Sequence, residues 1–549
     1  MSTRILYSSG RIVFIQLIIL IGFLSLLGRL IYLQIFQDIF LDDQVFNRLD
    51  SQYFLLAPRG KILDRNGNVL ALDIKGYSVG VDLEKFRFEE ETIIFLSELL
   101  DKEPSSLSNM LYGKSSGYKE ISRNINFKTK EKLKDKKISG IYFRENLRRS
   151  YPERNITSHV VGLTDIDRKG IQGVELIFDN ELRGEEGSFE GIKGAKNTKL
   201  EGKRIEAVAG KNISITIDIN IQSIAYHQLN EAIKENNAKA GSIVVIEPKT
   251  GDILGLVNYP SFDPSNRKNL IDMSKLRNRA TIDIFEPGSV LKPLAMSAIL
   301  ESDYLPKTSK IDTSPGWIEY EGFKTSDFKD YGALSLSQII SLSSNVGMVK
   351  LCQYQDIEHL TNYYKKFGIG RYPTSIMLPS REGFLPHSSQ FTLRDKVSSC
   401  YGYGMTLSAL QIAQAYSVFA NEGNFIELNL FKDHSFDEPL HEKVLQKETN
   451  NIILDMLVET VNSSNGTASK ARLQEKIVAG KTGTAKESLE EETTYSATFA
   501  GFVPHDEPEY LAVVVLNGLS GEDYSGGRVS APVFSRLMQQ IFMLQDLKI

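Results

Sequence analysis

Three short motifs contain the residue types that a serine acyl-transfer reaction needs. The first is Ser289-x-x-Lys292, which directly follows a Pro-Gly pair. Because residues three apart share one helix face, the Lys292 amine can reach the Ser289 hydroxyl. A serine is a weak nucleophile and needs an adjacent base. A lysine can be that base only when burial or a second cation lowers its pKa. The pattern predicts a nucleophile and its base at a helix N-terminus, where developing negative charge is favoured.

The second motif is Ser343-Ser344-Asn345, which lies between two segments with helical apolar spacing, 335–342 and 346–353. A loop at this point can direct both outer side chains at a neighbouring site. We therefore predict that Ser343 shuttles a proton and that Asn345 is an amide that binds a peptide.

The third motif is Lys481-Thr482-Gly483-Thr484, in a stretch that predicts a strand over 476–485. Side chains alternate between the two faces of a strand, so Thr482 and Thr484 share one face. Two hydroxyls on one face are suited to holding a substrate carboxylate. Lys481 would supply the nearby cation, and Gly483 lets another element approach closely.

Each motif alone is a weak signal, because the chain repeats all three patterns elsewhere. The repeats are Ser116/Lys119, Ser265/Lys268 and Ser326/Lys329, Ser122/Asn124 and Ser463/Asn465, and the Lys249 Lys-Thr-Gly run. We interpret these as solvated surface or turns. Ser289 differs because it opens an apolar helix, and Lys481 differs because it lies on an apolar strand. This context favours serine acyl transfer.

The segments around the motifs predict one antiparallel sheet with a helical insertion. Two apolar strands flank a turn at 249–251, and a helix-rich stretch follows. Near the end come three more predicted strands and a closing helix: 476–485, 495–503, 510–518 and 529–545. Strands at both ends of a segment, with helices between them, are typical of a single sheet built from both ends.

The preceding 200 residues predict short mixed elements. Residues 59–71 form a predicted hairpin, since Asn-Gly at 66–67 is a strong tight-turn pair. Residues 90–101 and 128–136 read as helices, and the Gly-rich stretch at 184–210 predicts extended loops or hairpins without a core. A strand at 213–218 is predicted to end in a helix-capping aspartate.

Residues 12–28 are uncharged and apolar, and the apolar run continues after Arg29. About 20 such residues cross the hydrocarbon core of a bilayer. The run is longer than that of a signal peptide, and no cleavage site of the A-x-A kind follows, so we predict an uncleaved anchor. Basic residues precede the span and acidic residues follow it: Arg4 and Arg11, then Asp38, Asp42 and Asp43. This asymmetry predicts a cytoplasmic N-terminus with the rest of the chain outside.

Composition excludes several classes of protein. The chain has 549 residues with a net charge of −5, which argues against general nucleic-acid binding. Two cysteines, Cys352 and Cys400, exclude a disulfide-dense scaffold and a cysteine-built zinc site. One disulfide is possible, but we expect two small buried hydrophobic residues. The seven histidines show no metal-binding spacing and none adjoins Ser289, so we expect no metal, no cofactor and no Ser-His-Asp triad.

The three motifs in this order resemble the penicillin-interacting serine acyltransferases. Three longer stretches resemble the N-terminal module of the class B penicillin-binding proteins: RGKILDRNGNVLA (59–71), RSYPERNITSHVVGL (149–163) and GIQGVELIFDNELRG (170–184). Four others resemble the division-specific FtsI-type members of that class: RNRATIDIFEPGSVLKP (277–293), SSNVGMVK (343–350), YGYGMTLSALQIAQAYSVFANEG (401–423) and AGKTGTA (479–485). The resemblance runs from the anchor to about residue 540. It implies an α+β fold with a transmembrane helix, an extended mixed α/β pedestal and a transpeptidase domain whose antiparallel sheet is flanked by helices and carries a helical subdomain. The expected parts are a tail at 1–11, the anchor at 12–34, the pedestal at 35–236 and the transpeptidase at 237–549.

The resemblance also implies a serine-type D,D-transpeptidase that crosslinks peptidoglycan and that β-lactams inhibit. Matching positions make Ser289 the nucleophile and Lys292 its base, with Ser343 and Lys481 as proton-transfer and electrostatic partners. Asn345 would contact the donor peptide. The strand residues Thr482, Gly483 and Thr484 would bind the terminal carboxylate, and the backbone N–H groups of Ser289 and Thr484 would form the oxyanion hole.

Family membership further implies stem peptides as substrates, and a glycan polymerase and bitopic division proteins as partners at the division site of the bacterial inner membrane. Three other classes of protein fit less well. A β-lactamase needs neither anchor nor pedestal, a β-lactam receptor needs a longer cytoplasmic part, and a silent scaffold would not need the intact motifs. An elongation-specific transpeptidase remains the nearest alternative, since it shares both chemistry and topology.

Overall fold

The computed structural model describes residues 9–35, 53–112, 117–192, 201–266, 271–302, 304–373, 376–432, 441–489, 492–521 and 523–547. The chain divides into two compact units. The first contains Met1–Pro58 and Gly184–Gly210, and the second contains Arg59–Arg183 and Lys211–Ile549. The flanking charges that predict membrane orientation lie outside the described residues, apart from Arg11.

Strands and helices are interspersed along the described chain. The strands are β1 (Tyr53–Leu55), β2 (Ile62–Leu63), β3 (Val69–Asp82), β4 (Tyr118–Ile125), β5 (Ile141–Ser150), β6 (Leu163–Thr164), β7 (Gly170–Gln172), β8 (Gly187–Ile192), β9 (Glu201–Ile205), β10 (Ile213–Ser214), β11 (Ala240–Ile246), β12 (Ile253–Tyr259), β13 (Lys310–Asp312), β14 (Trp317–Tyr320), β15 (Phe323–Ser326), β16 (Ala333–Ser335), β17 (Asn424–Ile426), β18 (His441–Lys443), β19 (Ala479–Leu489), β20 (Glu492–Val503) and β21 (Tyr510–Leu519). The helices are α1 (Ser9–Ile35), α2 (Glu90–Leu100), α3 (Pro104–Leu111), α4 (Phe127–Asp135), α5 (Ser158–Val161), α6 (Gly173–Ile177), α7 (Asp179–Arg183), α8 (Ile219–Asn236), α9 (Arg279–Ile282), α10 (Lys292–Glu301), α11 (Leu336–Ser341), α12 (Asn345–Cys352), α13 (Ile357–Lys366), α14 (Leu393–Ser399), α15 (Ala409–Ala420), α16 (Lys447–Asn462) and α17 (Gly526–Leu547).

The first unit contains the anchor helix and a small sheet. Within α1, the segment Val13–Tyr32 is the one stretch of the described chain long and apolar enough to cross a membrane, and none of it is buried. Strands β1, β8 and β9 form an antiparallel sheet in that order. The predicted hairpin in the Gly-rich stretch is therefore present, with residues 193–200 outside the described residues.

In the second unit, the N-terminal part contains a five-stranded sheet in which β5 and β4 both pair with β3. The predicted hairpin at 59–71 is confirmed as β2 and β3. Its turn is stabilised by Asp64, which accepts hydrogen bonds from the backbone N–H groups of Asn66 and Asn68 at 2.8 Å. Helices α2 and α4 confirm the two predicted helices, and α2 packs with α3 over an apolar cluster.

A buried ion-pair network holds this part together. The Nε atoms of Arg59 and Arg149 each lie 2.6 Å from a different oxygen of Glu175. Arg59 also pairs with Asp179 at 2.7 Å, and Arg149 pairs with Asp73 at 3.3 Å. Removing one side chain of the network would leave an uncompensated buried charge and would lower the free energy of unfolding by about 3–5 kcal/mol. The network therefore ties β3 and β5 to α6 and α7.

The C-terminal part is built on an antiparallel sheet in the order β12-β11-β21-β20-β19. This confirms the predicted sheet assembled from both ends of the segment. Neighbouring residues on each strand face different cores: Val244 and Val513 pack with one cluster, and Val245 and Val514 with the other. Helices α10 and α15 contribute to the first core, whereas α8 and α17 contribute to the second. Burial on both faces explains why these strands read as continuous apolar runs.

The helical insertion lies between β12 and β19 and contains α9 to α16. It also contains three two-stranded sheets that the sequence pattern does not indicate: β13 with β16, β14 with β15, and β17 with β18. These strands are three or four residues long. Segments this short are below the length at which apolar alternation identifies a strand.

The two cysteines form a disulfide, and the preference for two unpaired hydrophobic residues is wrong. Cys352 and Cys400 are both fully buried, and their sulfur atoms lie 2.11 Å apart. Cys352 ends α12 and Cys400 follows α14. The prediction that both cysteines are buried is therefore confirmed. Their pairing could not be predicted, because the sequence does not show that these two helix ends meet.

We expect the double variant Cys352→Ser/Cys400→Ser to be less stable than the wild type. The bridge closes a loop of 48 residues, and the chain-entropy model gives about 4 kcal/mol for a loop of that length. Thermal unfolding of the purified protein under oxidising conditions should show a lower Tm for the variant. Under a strong reductant the two proteins should unfold together. Equal Tm values without reductant would contradict a stabilising bridge.

Candidate active site

Ser289 lies in a 3₁₀ turn over Gly288–Leu291, and α10 continues directly from it. The predicted helix start is confirmed, with a tighter first turn than expected. Gly288 has a φ of +58°, and a Cβ at this position would lie 2.8 Å from the carbonyl oxygen of Thr484. Only glycine fits a left-handed backbone at this close approach. The turn therefore places Ser289, which is half-buried, beside strand β19.

The Lys292 side chain is completely buried. Its Nζ lies 2.6 Å from the carbonyl oxygen of Ser343, 2.7 Å from Asn345 Oδ1 and 3.2 Å from Ser343 Oγ. A neutral amine has two hydrogens, and the two carbonyl-type oxygens can accept both of them. The lone pair is then free to accept a proton from a hydroxyl. In the described chain these bonds join Lys292 to the second motif, and none joins it to Ser289.

Burial lowers the pKa of Lys292 to about 7, and the negative charge of Asp327 opposes this shift. Burial also lowers the pKa of Lys481 well below its ordinary value, and the nearby charge of Lys292 lowers it further. Lys481 Nζ lies 2.9 Å from Ser343 Oγ. Two buried amines therefore meet at one hydroxyl, and burial together with their mutual repulsion disfavours the state in which both are charged. This supplies the lowered lysine pKa that the sequence argument requires.

The loop that carries Ser343 is held by a carboxylate. Ser343 itself has a φ of +59°, and Ser344 caps α12 by accepting a hydrogen bond from the Gly347 N–H. The Ser344 hydroxyl donates to Asp327 Oδ2 at 2.5 Å. Asp327 Oδ1 accepts from the backbone N–H groups of Asn345, at 2.5 Å, and of Val346. Asp327 thus fixes both the loop and the first turn of the helix.

If Ser289 is the nucleophile that the sequence predicts, we expect Asp327→Asn to slow its acylation by roughly 10- to 100-fold, because hydrogen bonds to a charged group contribute about 1.5–3 kcal/mol each. The variant should also shift the pH dependence. Removing the negative charge favours the neutral form of Lys292, so the rise of the acylation rate with pH should move to lower pH.

Stopped-flow or gel-based acylation at a series of pH values measures both effects. Asp330→Asn is the matched control, because Asp330 is an exposed turn residue that accepts bonds from Ser314 and from the Gly332 N–H. An Asp327→Asn profile with the wild-type midpoint would contradict the electrostatic part of this account.

Strand β19 carries the third motif along the edge of the site. A Cβ at Gly483 would lie 2.7 Å from the Pro287 carbonyl oxygen, so the glycine permits the close approach that the sequence predicts. The Thr482 hydroxyl donates to Thr467 Oγ1 at 3.2 Å, and Thr484 Oγ1 accepts from the Gly526 N–H at 3.1 Å. A Cβ at Gly527 would lie 3.6 Å from Thr482 Cγ2, so both threonines face the start of α17, as expected for alternate residues on one strand.

The structure thus brings the three predicted motifs together. Of the repeated patterns, Ser326/Lys329 lies next to the second motif, because the Ser326 carbonyl accepts a hydrogen bond from Asn345 Nδ2. Lys249 lies in the turn between β11 and β12, and Lys329 is exposed. Ser116 and Lys268 are outside the described residues. In the described part of the chain, no group of three or more His, Cys, Asp or Glu side chains could hold a metal ion.

Two residues at the site have no recognisable sequence signal. Asp327 lies in a loop 16 residues before the second motif, and Thr467 follows α16 in another loop. Each acts by hydrogen bonding to a motif residue far away in sequence. Such contacts depend on where the loops lie in the folded chain, so local patterns cannot predict them.

Two family models match the chain. Residues 241–539 match the penicillin binding protein transpeptidase domain, and residues 55–215 match the penicillin-binding protein dimerisation domain. The transpeptidase match contains all three motifs. The dimerisation match contains the hairpin at β2–β3 and the ion-pair network around Glu175.

Full-length relatives agree with these domain matches. The probable peptidoglycan D,D-transpeptidase PenA of Neisseria gonorrhoeae is 32% identical over 541 residues, covering 97% of this chain and 92% of the relative. Peptidoglycan D,D-transpeptidase FtsI of Buchnera aphidicola subsp. Schizaphis graminum is 31% identical over 559 residues, covering 100% of this chain and 96% of the relative. FtsI of Escherichia coli K12 is 29% identical over 542 residues, covering 96% of this chain and 91% of the relative.

Solved structures show the same fold. The apo transpeptidase domain of Burkholderia pseudomallei penicillin-binding protein 3 is 30% identical, with a TM-score of 0.54, and covers 60% of this chain and 96% of that chain. A penicillin-binding protein (PBP2) in complex with MreC from Helicobacter pylori is 20% identical, with a TM-score of 0.74, and the match covers 90% of this chain and 99% of that chain. The site, the two domain matches and these relatives lead to one conclusion: the chain belongs to the class B penicillin-binding proteins and is a peptidoglycan D,D-transpeptidase.

Proposed function

We propose that this protein is an FtsI-type, division-specific transpeptidase that crosslinks septal peptidoglycan through an acyl-enzyme on Ser289 and is inhibited by β-lactams. One observation carries the catalytic part of this proposal. Lys292 and Lys481, both buried, lie 3.2 and 2.9 Å from Ser343 Oγ, at the end of the turn that holds Ser289. Serine acyl transfer requires a nucleophile, a neutral base and a group that relays the proton, and these residues supply all three in the proposed mechanism.

In the acylation step, Ser289 Oγ attacks the carbonyl carbon of a D-Ala-D-Ala peptide bond. Lys292 accepts the Ser289 proton, and the backbone N–H groups of Ser289 and Thr484 stabilise the oxyanion. The C–N bond then breaks, and the terminal D-alanine leaves with a proton that passes through Ser343 from the lysine pair. An amine of a neighbouring stem peptide next attacks the ester and releases Ser289.

Substrate binding follows from the groups around the nucleophile. Asn345 binds the donor peptide backbone in this proposal. Its Nδ2 donates one hydrogen to the Ser326 carbonyl and its Oδ1 accepts from Lys292, which fixes the amide and leaves its second N–H for the peptide. Thr482 and Thr484 bind the terminal carboxylate of the donor, with Gly483 allowing the strand to lie against the nucleophile turn. A β-lactam mimics this peptide and leaves a stable ester on Ser289.

The division role is supported by relatives named FtsI that span nearly the whole chain, although relatives named PenA match equally well. We propose that residues 1–11 are cytoplasmic, that 12–34 anchor the protein in the inner membrane and that 35–236 form a pedestal for partner proteins. Residues 237–549 would form the transpeptidase domain outside the membrane. Expected partners are a membrane-embedded glycan polymerase and bitopic division proteins. A structural relative was solved in complex with MreC, which supports partner binding by this kind of protein.

Release of D-alanine from a D-Ala-D-Ala-terminated stem peptide by the purified protein tests the chemistry, with Ser289→Ala as the inactive control. Depletion of the protein in its own bacterium tests the biological role. Long filaments with unfinished septa are the expected result. Rounded cells that still divide would contradict the division role and would indicate elongation. Filaments on depletion together with no D-alanine release by the purified protein would indicate a silent scaffold.

A further inference from the structure

A cavity of about 770 Å³ lies beside strand β4, in the N-terminal part of the second unit. Residues 119–124 of this strand line it, together with the turn between β6 and β7 and with residues 264–266, which follow β12. No residue of the three motifs is among the described residues that line it. The cavity is therefore separate from the candidate active site, and the transpeptidase reaction leaves its side chains without a role.

The lining of this cavity is strongly basic, although the whole chain has a net charge of −5. Six lysine and arginine residues line it, against three acidic residues. Two of the acids already have partners. Glu120 pairs with Arg123 at 2.8 Å, and Asp165 Oδ1 accepts from two backbone N–H groups of its own turn. The cavity therefore carries positive charge that its own acids do not neutralise.

Two neighbouring arginines of β5 have hydrogen-bond donors without acceptors. Arg149 is 7% exposed, and ion pairs with Asp73 and Glu175 engage its Nη1 and Nε. Its Nη2 is buried with no hydrogen-bond partner among the described residues, and the same holds for Nε of Arg148. Buried polar groups in folded proteins are nearly always hydrogen-bonded. Unpaired donors of two residues that line one cavity point to an acceptor that a ligand supplies.

Three cations of the lining have no acidic partner. Lys102 follows α2, Lys119 lies on β4 and Arg148 lies on β5. All three are half-buried, and none forms an ion pair with a residue in the described ranges. Like charges held at one cavity repel each other, and an anion that binds among them removes this repulsion. The cavity is therefore suited to an anion with more than one negative charge.

We propose that this cavity is a phosphate-binding site, in which Arg148 and Lys119 bind the phosphate oxygens and Lys102 adds positive charge. The planar guanidinium binds phosphate through two parallel N–H groups, and lysine binds it as a point charge. Inorganic phosphate and a phosphorylated headgroup present the same group, so the site accepts either. The cavity volume is in the range of small-molecule sites, which leaves room for an organic group attached to the phosphate.

A phosphate matches the lining better than a carboxylate does. A phosphate monoester carries a charge of about −1.5 to −2 at pH 7 and has three strong acceptor oxygens. A carboxylate carries a single charge on two oxygens. Three unpaired cations from three different elements need the larger charge and the larger number of acceptors. An acidic peptide would match them only with several carboxylates held at the right spacing.

Phosphate should also stabilise the fold. Strands β4 and β5 belong to the N-terminal sheet, whereas residues 264–266 follow a strand of the C-terminal sheet. A ligand in the cavity therefore contacts both parts of the unit, and the unfolded chain does not form the site. A ligand that binds only the folded protein raises its stability with the logarithm of ligand concentration. The Tm of the full-length protein should rise in the same way with phosphate.

Calorimetric titration of the purified full-length protein tests the proposal, in Tris buffer with the ionic strength held constant by sodium chloride. The ligands are inorganic phosphate, glycerol 3-phosphate and N-acetylglutamate. Both phosphates should bind at one saturable site and raise the Tm, and N-acetylglutamate should bind at least 10-fold more weakly. Tighter binding of glycerol 3-phosphate would support a headgroup as the source, and tighter binding of inorganic phosphate would support the free anion.

The double variant Lys119→Gln/Arg148→Gln should weaken phosphate binding by roughly 10-fold or more, because it removes hydrogen bonds to a charged group. Lys128→Gln/Arg144→Gln is the matched control, since it removes the same charge from exposed residues outside the cavity. Thermal unfolding without phosphate checks that both variants are folded. Unchanged phosphate affinity in the folded double variant, or no saturable binding by the wild type, would overturn the site. Tighter binding of N-acetylglutamate than of phosphate would overturn the choice of ligand and would indicate an acidic peptide.

Discussion

Lys292→Met should slow acylation of Ser289 by about 10²–10⁴-fold, the usual contribution of a positioned general base. Methionine is of similar length and suits a fully buried site, but it cannot accept a proton. In the wild type, the acylation rate should rise as pH increases through about 7, because burial lowers the pKa of Lys292 to about 7 and only the neutral amine is a base. The variant should lose this dependence.

The same substitution should stabilise the fold. A lysine with an ordinary pKa of 10.5 and a folded pKa of about 7 binds more protons in the unfolded chain between these values. The free energy of unfolding therefore rises with pH through that window. Below pH 7 the folded protein bears the full cost of burying a charged Lys292 amine. At 1.36 kcal/mol per pKa unit the penalty is on the order of 5 kcal/mol. Lys292→Met removes it and should unfold at a higher temperature below pH 7.

Two measurements test this pair of effects: β-lactam acylation rates from pH 5.5 to 9, and thermal unfolding at the low end of that range. Lys329→Met is the control, because this exposed lysine contacts the Tyr331 ring and has no hydrogen bond to a motif residue in the described part of the chain. Acylation of Lys292→Met within 10-fold of the wild type would contradict the assignment of Lys292 as base. A variant that is both slow and less stable would indicate a packing role.

Ser343→Gly should slow acylation by roughly 10²–10³-fold, because it removes the one hydroxyl that contacts both buried amines. Glycine is preferable to alanine here. Ser343 has a φ of +59°, and glycine adopts that backbone conformation without strain. The loop should therefore keep its hydrogen bonds to Asp327, and the loss should report on the hydroxyl alone.

Comparing a β-lactam with a D-Ala-D-Ala peptide sharpens this test. Both need a proton at the leaving nitrogen, so both reactions should be slowed by a similar factor. Ser297→Ala is the matched control, since its buried hydroxyl donates to the Pro293 carbonyl within its own helix. If Ser343→Gly reacts at the wild-type rate with both compounds, the proton path does not pass through Ser343.

The sequence predicted most of the sheet, the anchor and the three motifs, because each is encoded locally. The strands around Val244 and Val514 are apolar runs, and the anchor is an uninterrupted apolar stretch. The motif residues were found in the same way, since Ser289 begins a helix and Lys481 lies within a strand. Their convergence on Ser343 then follows from the sheet and the insertion packing together.

What the sequence could not predict depends on contacts between distant loops. Asp327 stabilises the Ser343 loop, yet nothing around it marks it as different from the exposed Asp330. Cys352 and Cys400 are 48 residues apart, and their pairing depends on how α12 and α14 pack. The cavity lined by both Glu286 and Arg394 brings these side chains together across more than 100 residues. In each case the role of a residue depends on a contact with a residue far away in sequence, which local sequence patterns do not show.

Covalent labelling of Ser289 tests the central claim most directly. The membrane fraction is treated with a fluorescent penicillin, and the purified protein is digested to locate the modified peptide by mass spectrometry. The account predicts one labelled band at about 62 kDa, consistent with the 61.6 kDa chain, an adduct on Ser289, and no labelling of folded Ser289→Ala. Labelling that persists in Ser289→Ala, or an absence of label on folded wild-type protein, would contradict it.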